Sequence, residues 1–165
     1  FSRKLGGIII MRSLGIRVTA KAIHFAIVEK NENRFSIINV ELIKVPQALD
    51  FPSRLKYIRN TVLDILQEYS IPFAGIRVVE SNSKNISFER LQIEGVIQEA
   101  FASSCITSYF TGQMQSISRN ISITTETYKE ITTNRDSTFP ILESWELCKD
   151  KDHKEAALVA LGAFK

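Results

Sequence analysis

A change of hydrophobic period at Pro46 is the feature that most constrains the fold of this chain. Before it, apolar residues alternate with other residues as in strands, and polar turn residues separate the segments. After it, apolar residues recur with helical spacing over residues 51–69, with Asp50 placed to cap the helix. The sequence therefore predicts a meander of three antiparallel strands followed by a helix. The three strand segments are residues 14–18, 22–28 and 35–43.

The rest of the chain alternates strand and helix patterns. Short apolar runs predict a fourth strand that ends at Glu80 and a fifth strand at residues 106–111. Between them lies a helical pattern in which Gly95 predicts close approach of another backbone. The order predicts an α/β fold with a mixed five-stranded sheet, three antiparallel strands then parallel ones, and helices on both faces. The second predicted helix begins within residues 85–88 and ends before Cys105. Three further helices are predicted at residues 116–121, 125–131 and 151–164.

Length and composition favour one globular domain. The chain has 165 residues, of which 44% are hydrophobic and 24% charged, so neither a disordered nor a fibrous class is favoured. Residues 1–10 precede Met11 and are interpreted as an added or disordered extension of a domain spanning residues 11–165.

The net charge and the cysteine content bear on the cellular compartment and the binding partners of the protein. Two isolated cysteines form no disulfide framework, and the apolar run at residues 8–11 is too short to span a membrane, so we expect a cytoplasmic protein without a membrane partner. A net charge of +3 is compatible with DNA or RNA as a partner, but no dense Lys/Arg run is present.

Four segments of the sequence, at residues 14–29, 52–80, 85–102 and 152–164, carry a resemblance to a known family. They resemble segments of RuvC-like Holliday-junction resolvases, which have a ribonuclease H-like fold. LGIRVTAKAIHFAIVE (14–29) resembles their opening hairpin, in which a glycine and an isoleucine precede the first catalytic aspartate. PSRLKYIRNTVLDILQEYSIPFAGIRVVE (52–80) resembles the first long helix and the strand that ends in a catalytic glutamate, here Glu80. NISFERLQIEGVIQEAFA (85–102) resembles the next helix, and DHKEAALVALGAF (152–164) resembles the terminal helix with two acids three residues apart, here Asp152 and Glu155.

The resemblance implies a two-metal phosphodiesterase site with one residue changed. Such a site needs several carboxylates from separate elements, because two divalent cations must be neutralised while positions stay open for water and phosphate. Glu80, Asp152 and Glu155 match three of the acids, and Arg17 stands where the first one is expected. We therefore expect a degenerate site without metal, and Mg²⁺ or Mn²⁺ only if the site is active.

Two interpretations of Arg17 remain open from the sequence. It either lies at a solvated strand end or in a surface ion pair, or it places its guanidinium in the position of the metal charge, paired with Glu80 and Glu155. His24 is interpreted as a structural strand residue, and His153 as a surface residue more readily than a catalytic one.

The sequence favours a binding module over an enzyme. The leading hypothesis is a module that either binds nucleic acid or assembles with protein. In the assembly role, its partner would be a protein subunit or a second copy of the chain. The alternative is a divergent metal-dependent nuclease that uses the three acids. The candidate phosphate-contacting residues near the site are Lys21, Lys84, Arg90 and Lys154.

Overall fold

The computed structural model describes residues 3–19 and 21–165 of the chain. The predicted order of strands and helices is confirmed, with boundaries shifted by a few residues. The strands are β1 (Arg3–Leu5), β2 (Ile8–Val18), β3 (Ile23–Asn31), β4 (Arg34–Ile43), β5 (Phe73–Arg77), β6 (Ser108–Gly112) and β7 (Leu142–Glu143). The helices are α1 (Phe51–Glu68), α2 (Phe88–Ser103), α3 (Met114–Asn120), α4 (Thr125–Thr133) and α5 (Lys151–Gly162), with a 3-10 turn at Trp145–Leu147 before α5.

The strands form one mixed sheet in the order β6-β5-β2-β3-β4-β7, with β1 paired to β2. The meander β2-β3-β4 is antiparallel, whereas β5 runs parallel to both β2 and β6. The described sheet has seven strands rather than the predicted five. The two additional strands, β1 and β7, contain only three and two residues, so they carry too little periodicity to be recognised from sequence.

The N-terminal segment pairs with the rest of the sheet. Arg3–Leu5 pairs with the first residues of β2, and β2 pairs with β3 from Ile10 onward. The predicted domain boundary at residue 11 therefore falls inside a continuous strand. Residues 1 and 2 lie outside the described part of the chain.

Helices cover both faces of the sheet, as predicted. One buried cluster joins alternate residues of β2 and β3 to α1 and α2, and the other joins α5 and the α3–α4 region to the opposite face. The predicted cap of α1 is present, because the Asp50 carboxylate accepts a hydrogen bond from the Ser53 N–H at 2.9 Å. No helix in the described residues combines the length and the apolar character that a membrane crossing requires.

Gly15 lets α5 lie directly on the sheet. A Cβ atom at this position would lie 1.9 Å from the Ala156 carbonyl oxygen and 2.5 Å from the Ala160 nitrogen. The neighbouring Ser13 hydroxyl, which is buried, donates to the Ala160 carbonyl at 2.6 Å. These contacts fix the separation between β2 and α5, and this separation sets the geometry of the charged residues at the end of β2.

The prediction for Gly95 was wrong. A Cβ atom on Gly95 would have no neighbour within 4 Å among the described residues, so no other backbone approaches it. The packing around α2 therefore does not require a glycine at position 95.

The two glycines form a matched pair for a stability test. We expect Gly15→Ala to lower the free energy of unfolding by about 3 kcal/mol or more, because backbone atoms of α5 have no room to yield. We expect Gly95→Ala to raise it by about 0.5–1 kcal/mol, because alanine favours a helix interior. Urea denaturation of both variants measures the difference, and equal effects would contradict the close approach at Gly15.

Candidate functional site

The candidate site lies where β2 and β5 end beside the first turns of α5. The parallel pairing of these strands places Gly15 opposite Gly75 and Arg17 opposite Arg77. Residues directly opposite in a sheet present their side chains to the same face. Both arginines contact α5, and both have little exposed side-chain surface, 13% for Arg17 and 7% for Arg77.

Glu155 is the centre of the cluster. Its side chain is only 2% exposed, and its Oε2 atom lies 3.2 Å from Arg17 Nε and 3.0 Å from Arg77 Nε. The Lys151 ammonium lies 3.9 Å from the other carboxylate oxygen. One buried carboxylate therefore faces three cations, two of which are buried with it.

The other two predicted acids bind the same arginines from the periphery. Asp152 Oδ1 lies 3.8 Å from Arg17 Nε, and Glu80 Oε1 lies 2.7 Å from Arg77 Nη2. The structure thus brings Glu80, Asp152 and Glu155 to one end of the sheet, as the sequence predicted, and arranges them around two guanidinium groups.

The predicted end of β5 at Glu80 was wrong by three residues. The strand ends at Arg77, and the Val79 N–H binds the Glu94 carboxylate at 3.1 Å instead of continuing a strand pairing. Glu80 lies beyond the strand and accepts a hydrogen bond from the Met114 N–H, at the start of α3, at 2.9 Å. Glu80 is therefore a loop residue that connects Arg77 to α3.

Arg77 is the site residue that sequence reasoning missed. A signal was present, because Gly-Ile-Arg-Val occurs twice, at residues 15–18 and 75–78. The register aligns Gly15, Ile16 and Arg17 with the corresponding residues of the second copy. A repeated short motif on two adjacent parallel strands would have predicted a pair of arginines rather than one.

Burial and charge act in opposite directions on the ionisable groups of this cluster. Burial is the largest influence on Arg17 and lowers its pKa, although Glu155 partly counteracts it. Burial is also the largest single influence on Arg77, but Glu155, Tyr128 and Glu80 together outweigh it and raise its pKa. Burial, aided by Glu155, raises the pKa of the Tyr128 hydroxyl, which therefore stays neutral beside the cluster.

The four candidate phosphate-contacting residues divide into two classes. Lys21, in the turn between β2 and β3, and Lys84, in the segment after β5, are exposed. Arg90 is partly buried and pairs with the buried Glu94 at 2.9 Å, so it holds the carboxylate that binds Val79.

Lys154 was predicted wrongly as a phosphate contact. Lys154 is only 3% exposed, and its Nζ donates to the Asn134 carbonyl at 2.7 Å and to the Ser137 hydroxyl at 2.9 Å. The same ammonium group lies 5.8 Å from the centre of the Trp145 ring. Its partners are carbonyl and hydroxyl oxygens of a distant segment, which sequence patterns do not reveal. Lys154 connects α5 to the end of α4.

A second polar cluster lies next to the arginines. His24 is opposite Arg17 in the β2–β3 register and its ring packs edge-on against the His153 ring, with centroids 4.7 Å apart. Asp150 caps α5 by accepting from the His153 N–H at 2.8 Å, and its other oxygen lies 3.0 Å from His153 Nδ1. Burial lowers the pKa of His24, which is 7% exposed, below its usual range.

Several solved Holliday junction resolvases share this fold. RuvC of Thermus thermophilus in complex with a Holliday junction substrate superposes with a TM-score of 0.70 at 14% identity, over 92% of this chain and 91% of that one. This chain has the RuvC-type ribonuclease H-like fold. A second RuvC structure from Thermus thermophilus gives a TM-score of 0.62 at 12% identity, with 92% of each chain covered.

A eukaryotic resolvase shares the RuvC-type fold as well. The yeast mitochondrial Holliday junction resolvase gives a TM-score of 0.61 at 14% identity, over 92% of this chain and 77% of that one. No protein-family model and no curated protein sequence matches this chain. These structures show a shared backbone fold, which agrees with the fold implied by the resemblance in the sequence.

Within this RuvC-type fold, Glu155 is predicted to be essential for stability. We expect Glu155→Gln to lower the free energy of unfolding by about 3–5 kcal/mol, because it leaves two buried guanidinium groups without their shared counter-charge. The control is Glu143→Gln, which breaks the exposed Arg34–Glu143 pair and should leave the stability unchanged. Thermal and urea denaturation measure both, and similar effects would contradict a central role for Glu155.

Proposed function

We propose that this protein is a RuvC-like nucleic-acid-binding module whose two-metal nuclease site is degenerate. The observation that supports this most strongly is the position of Glu155, whose Oε2 atom lies within 3.2 Å of two buried guanidinium groups. The carboxylate that a metal would need as a ligand is already neutralised by side chains of the same chain. The arginines thus provide the positive charge that metal ions provide in an active site of this type.

The residues present do not fit a two-metal centre. The sequence resemblance expects a metal-binding acid at the end of the first predicted strand, where Arg17 stands, and β5, the strand before Glu80, ends in a second buried cation, Arg77. Two unit charges 4 Å apart interact by about 4 kcal/mol at an effective dielectric of 20, and a divalent ion beside one guanidinium would experience about twice that repulsion. Binding a metal here would require both arginines to move out of buried positions.

The chemistry of the exposed residues favours nucleic acid as the partner. The chain has a net charge of +3, and exposed lysines lie in three segments at the site end of the sheet, namely Lys21, Lys84 and Lys151. When ammonium groups bind the phosphates of a nucleic acid, the counterions condensed on that nucleic acid are released. This release favours binding that does not depend on the nucleotide sequence. The structural neighbour from Thermus thermophilus binds a Holliday junction in its complex.

A divergent nuclease is the second candidate. Its support is the convergence of Glu80, Asp152 and Glu155 at one end of the sheet. In this case Mg²⁺ or Mn²⁺ would be held by the three acids, and the arginines would have to be displaced first. Protein assembly, including homodimer formation, remains the alternative role for the inactive form.

Metal binding and cleavage assays discriminate between the two candidates. We expect calorimetric titration with Mn²⁺ and Mg²⁺ to give no heat from a site at Glu155, and we expect no cleavage of branched DNA, single strands or RNA:DNA hybrids. The paired variant Arg17→Asp, Arg77→Glu should gain Mn²⁺ affinity, because it restores the acid expected at the end of β2 and replaces the second buried cation by a carboxylate. Circular dichroism controls for its folding.

Activity of the wild-type protein would reverse this assignment. Metal-dependent cleavage that is lost in Glu80→Gln, a variant at the more exposed edge of the cluster, would establish the divergent nuclease instead.

The binding role predicts a salt-dependent affinity for branched DNA. We expect the combined variant Lys21→Glu, Lys84→Glu to bind branched DNA more weakly. The plot of log association constant against log salt concentration should become shallower by about 2, since each phosphate that the protein no longer neutralises removes roughly 0.9 from the magnitude of the slope. The matched control is Lys165→Glu, an exposed lysine beyond the opposite end of α5. Fluorescence anisotropy at several salt concentrations measures the slope.

Equal effects of these charge changes would exclude a nucleic-acid surface at the site end of the sheet. Absence of DNA binding together with a dimer in analytical ultracentrifugation would favour the assembly role.

A further inference from the structure

We propose that His24, Asp150 and His153 form a binding site for one transition-metal ion of the Zn²⁺ class. One ring nitrogen of each histidine and one carboxylate oxygen of Asp150 all lie within 4.8 Å of one another. The three residues come from β3, from the residue preceding α5 and from the first turn of α5. This site is separate from the arginine cluster and does not depend on whether the nuclease site is degenerate.

The separation of the ligand atoms suits a small divalent ion. Zn²⁺ binds nitrogen and oxygen ligands at about 2.0–2.2 Å, which places neighbouring ligands of a tetrahedral ion about 3.3 Å apart. His153 Nδ1 and Asp150 Oδ2 are already 3.0 Å apart. Only a small movement of side chains would bring these two atoms and a nitrogen of His24 to coordination distance.

The His153 ring is held in the orientation that a metal ligand needs. Its Nε2 atom lies 3.3 Å from the Glu41 carbonyl oxygen, which can only accept a hydrogen bond. In a metal-bound ring, Nε2–H would donate to this carbonyl, and Nδ1, which lies 3.0 Å from Asp150 Oδ2, would be the ligand atom. A backbone carbonyl bound to the second ring nitrogen is a usual support for a metal-binding histidine.

His24 is a buried polar side chain with an unused donor or acceptor. It is 7% exposed, and its Nδ1 atom makes no hydrogen bond within residues 3–19 and 21–165. Unpaired buried polar atoms are rare in folded proteins and call for a partner. The His24 ring contacts the His153 ring, and one nitrogen of the His24 side chain lies within 4.8 Å of the other two ligand atoms.

Nearby carboxylates balance the charge of a bound cation. The N-terminus of α5 repels cations, but Asp150 uses only Oδ1 for the helix cap, and its Oδ2 faces His153 Nδ1 at 3.0 Å. Asp152 Oδ2 lies 3.9 Å from His24 Nε2, and its Oδ1 faces Arg17. Asp152 therefore separates the arginine cluster from the histidines and provides a carboxylate next to the metal site.

The ligand types select the metal. Two imidazoles with one carboxylate favour borderline ions such as Zn²⁺, Co²⁺ and Ni²⁺, whereas Mg²⁺ prefers oxygen ligands in an octahedron. A bound ion would connect β3 to the start of α5, and the second ring nitrogen of His153 extends this connection to the end of β4. Its expected effect is stabilisation of the sheet–helix junction.

Metal titration of the full chain, free of any histidine tag and treated with a chelator, tests this site. We expect Zn²⁺ to bind with one ion per chain and to raise the melting temperature, and Co²⁺ to give visible absorption of a tetrahedral complex, whereas Mg²⁺ gives neither. His153→Gln and Asp150→Asn should each lower the Zn²⁺ affinity by about 10-fold or more. Asp150→Asn keeps a good helix cap, so the metal-free protein should retain its melting temperature.

Cys105→Ser is the control for another Zn²⁺ ligand, since this thiol is exposed and lies in a different part of the chain. The Cys105→Ser variant should bind Zn²⁺ with the same affinity as the wild-type protein. The chain contains only two histidines, so nuclear magnetic resonance signals of both imidazoles should shift on Zn²⁺ addition. No saturable binding at millimolar Zn²⁺, binding unaffected by Asp150→Asn, or binding lost in Cys105→Ser would overturn the proposal.

Discussion

The shared contact of Arg17 and Arg77 with the Glu155 carboxylate is the interaction on which the rest of the site depends. Two strand ends and one helix meet at this carboxylate, which is buried to 2% exposure. A buried charge without a partner is strongly destabilising, so each of the three residues requires the others. The remaining acids, Asp152 and Glu80, then occupy the free sides of the two arginines.

The backbone explains why the charges meet so closely. Gly15 leaves no side chain between β2 and α5, and the Ser13 hydroxyl binds the α5 backbone one turn beyond Ala156. Because side chains alternate along a strand, Arg17 lies on the same face as Gly15 and points to the first turns of α5. The packing of small residues and the position of the charge cluster are therefore two results of one close strand–helix contact.

Much of the fold followed from the sequence because it rests on long periodic segments. The alternation in the strands of the meander and the helical spacing in α1 each extend over several residues and identify the buried face directly. The helix α5 was predicted from its run of small residues, and it is buried on nearly all sides. The short strands β1 and β7 have no such signal. The end of β5 was misplaced because Glu94, 15 residues later in the chain, binds the Val79 N–H and ends the strand pairing.

The candidate site was only partly accessible to sequence reasoning. The three acids were identified from a resemblance, and the role of Arg17 as a partner of Glu155 agrees with the geometry. Arg77 was missed because its importance depends on the register between β2 and β5, and Lys154 was misassigned because its partners are backbone carbonyls. The cluster of His24 with Asp150 and His153 joins residues more than 120 positions apart, which only the folded chain reveals.

The most direct test of the central claim is a crystal structure of the wild-type protein soaked in Mn²⁺, with anomalous scattering used to locate the ion. This account predicts that both guanidinium groups remain on Glu155 and that no manganese peak lies between Glu155 and Glu80. A manganese ion coordinated by Glu155, with Arg17 and Arg77 turned away, would contradict it.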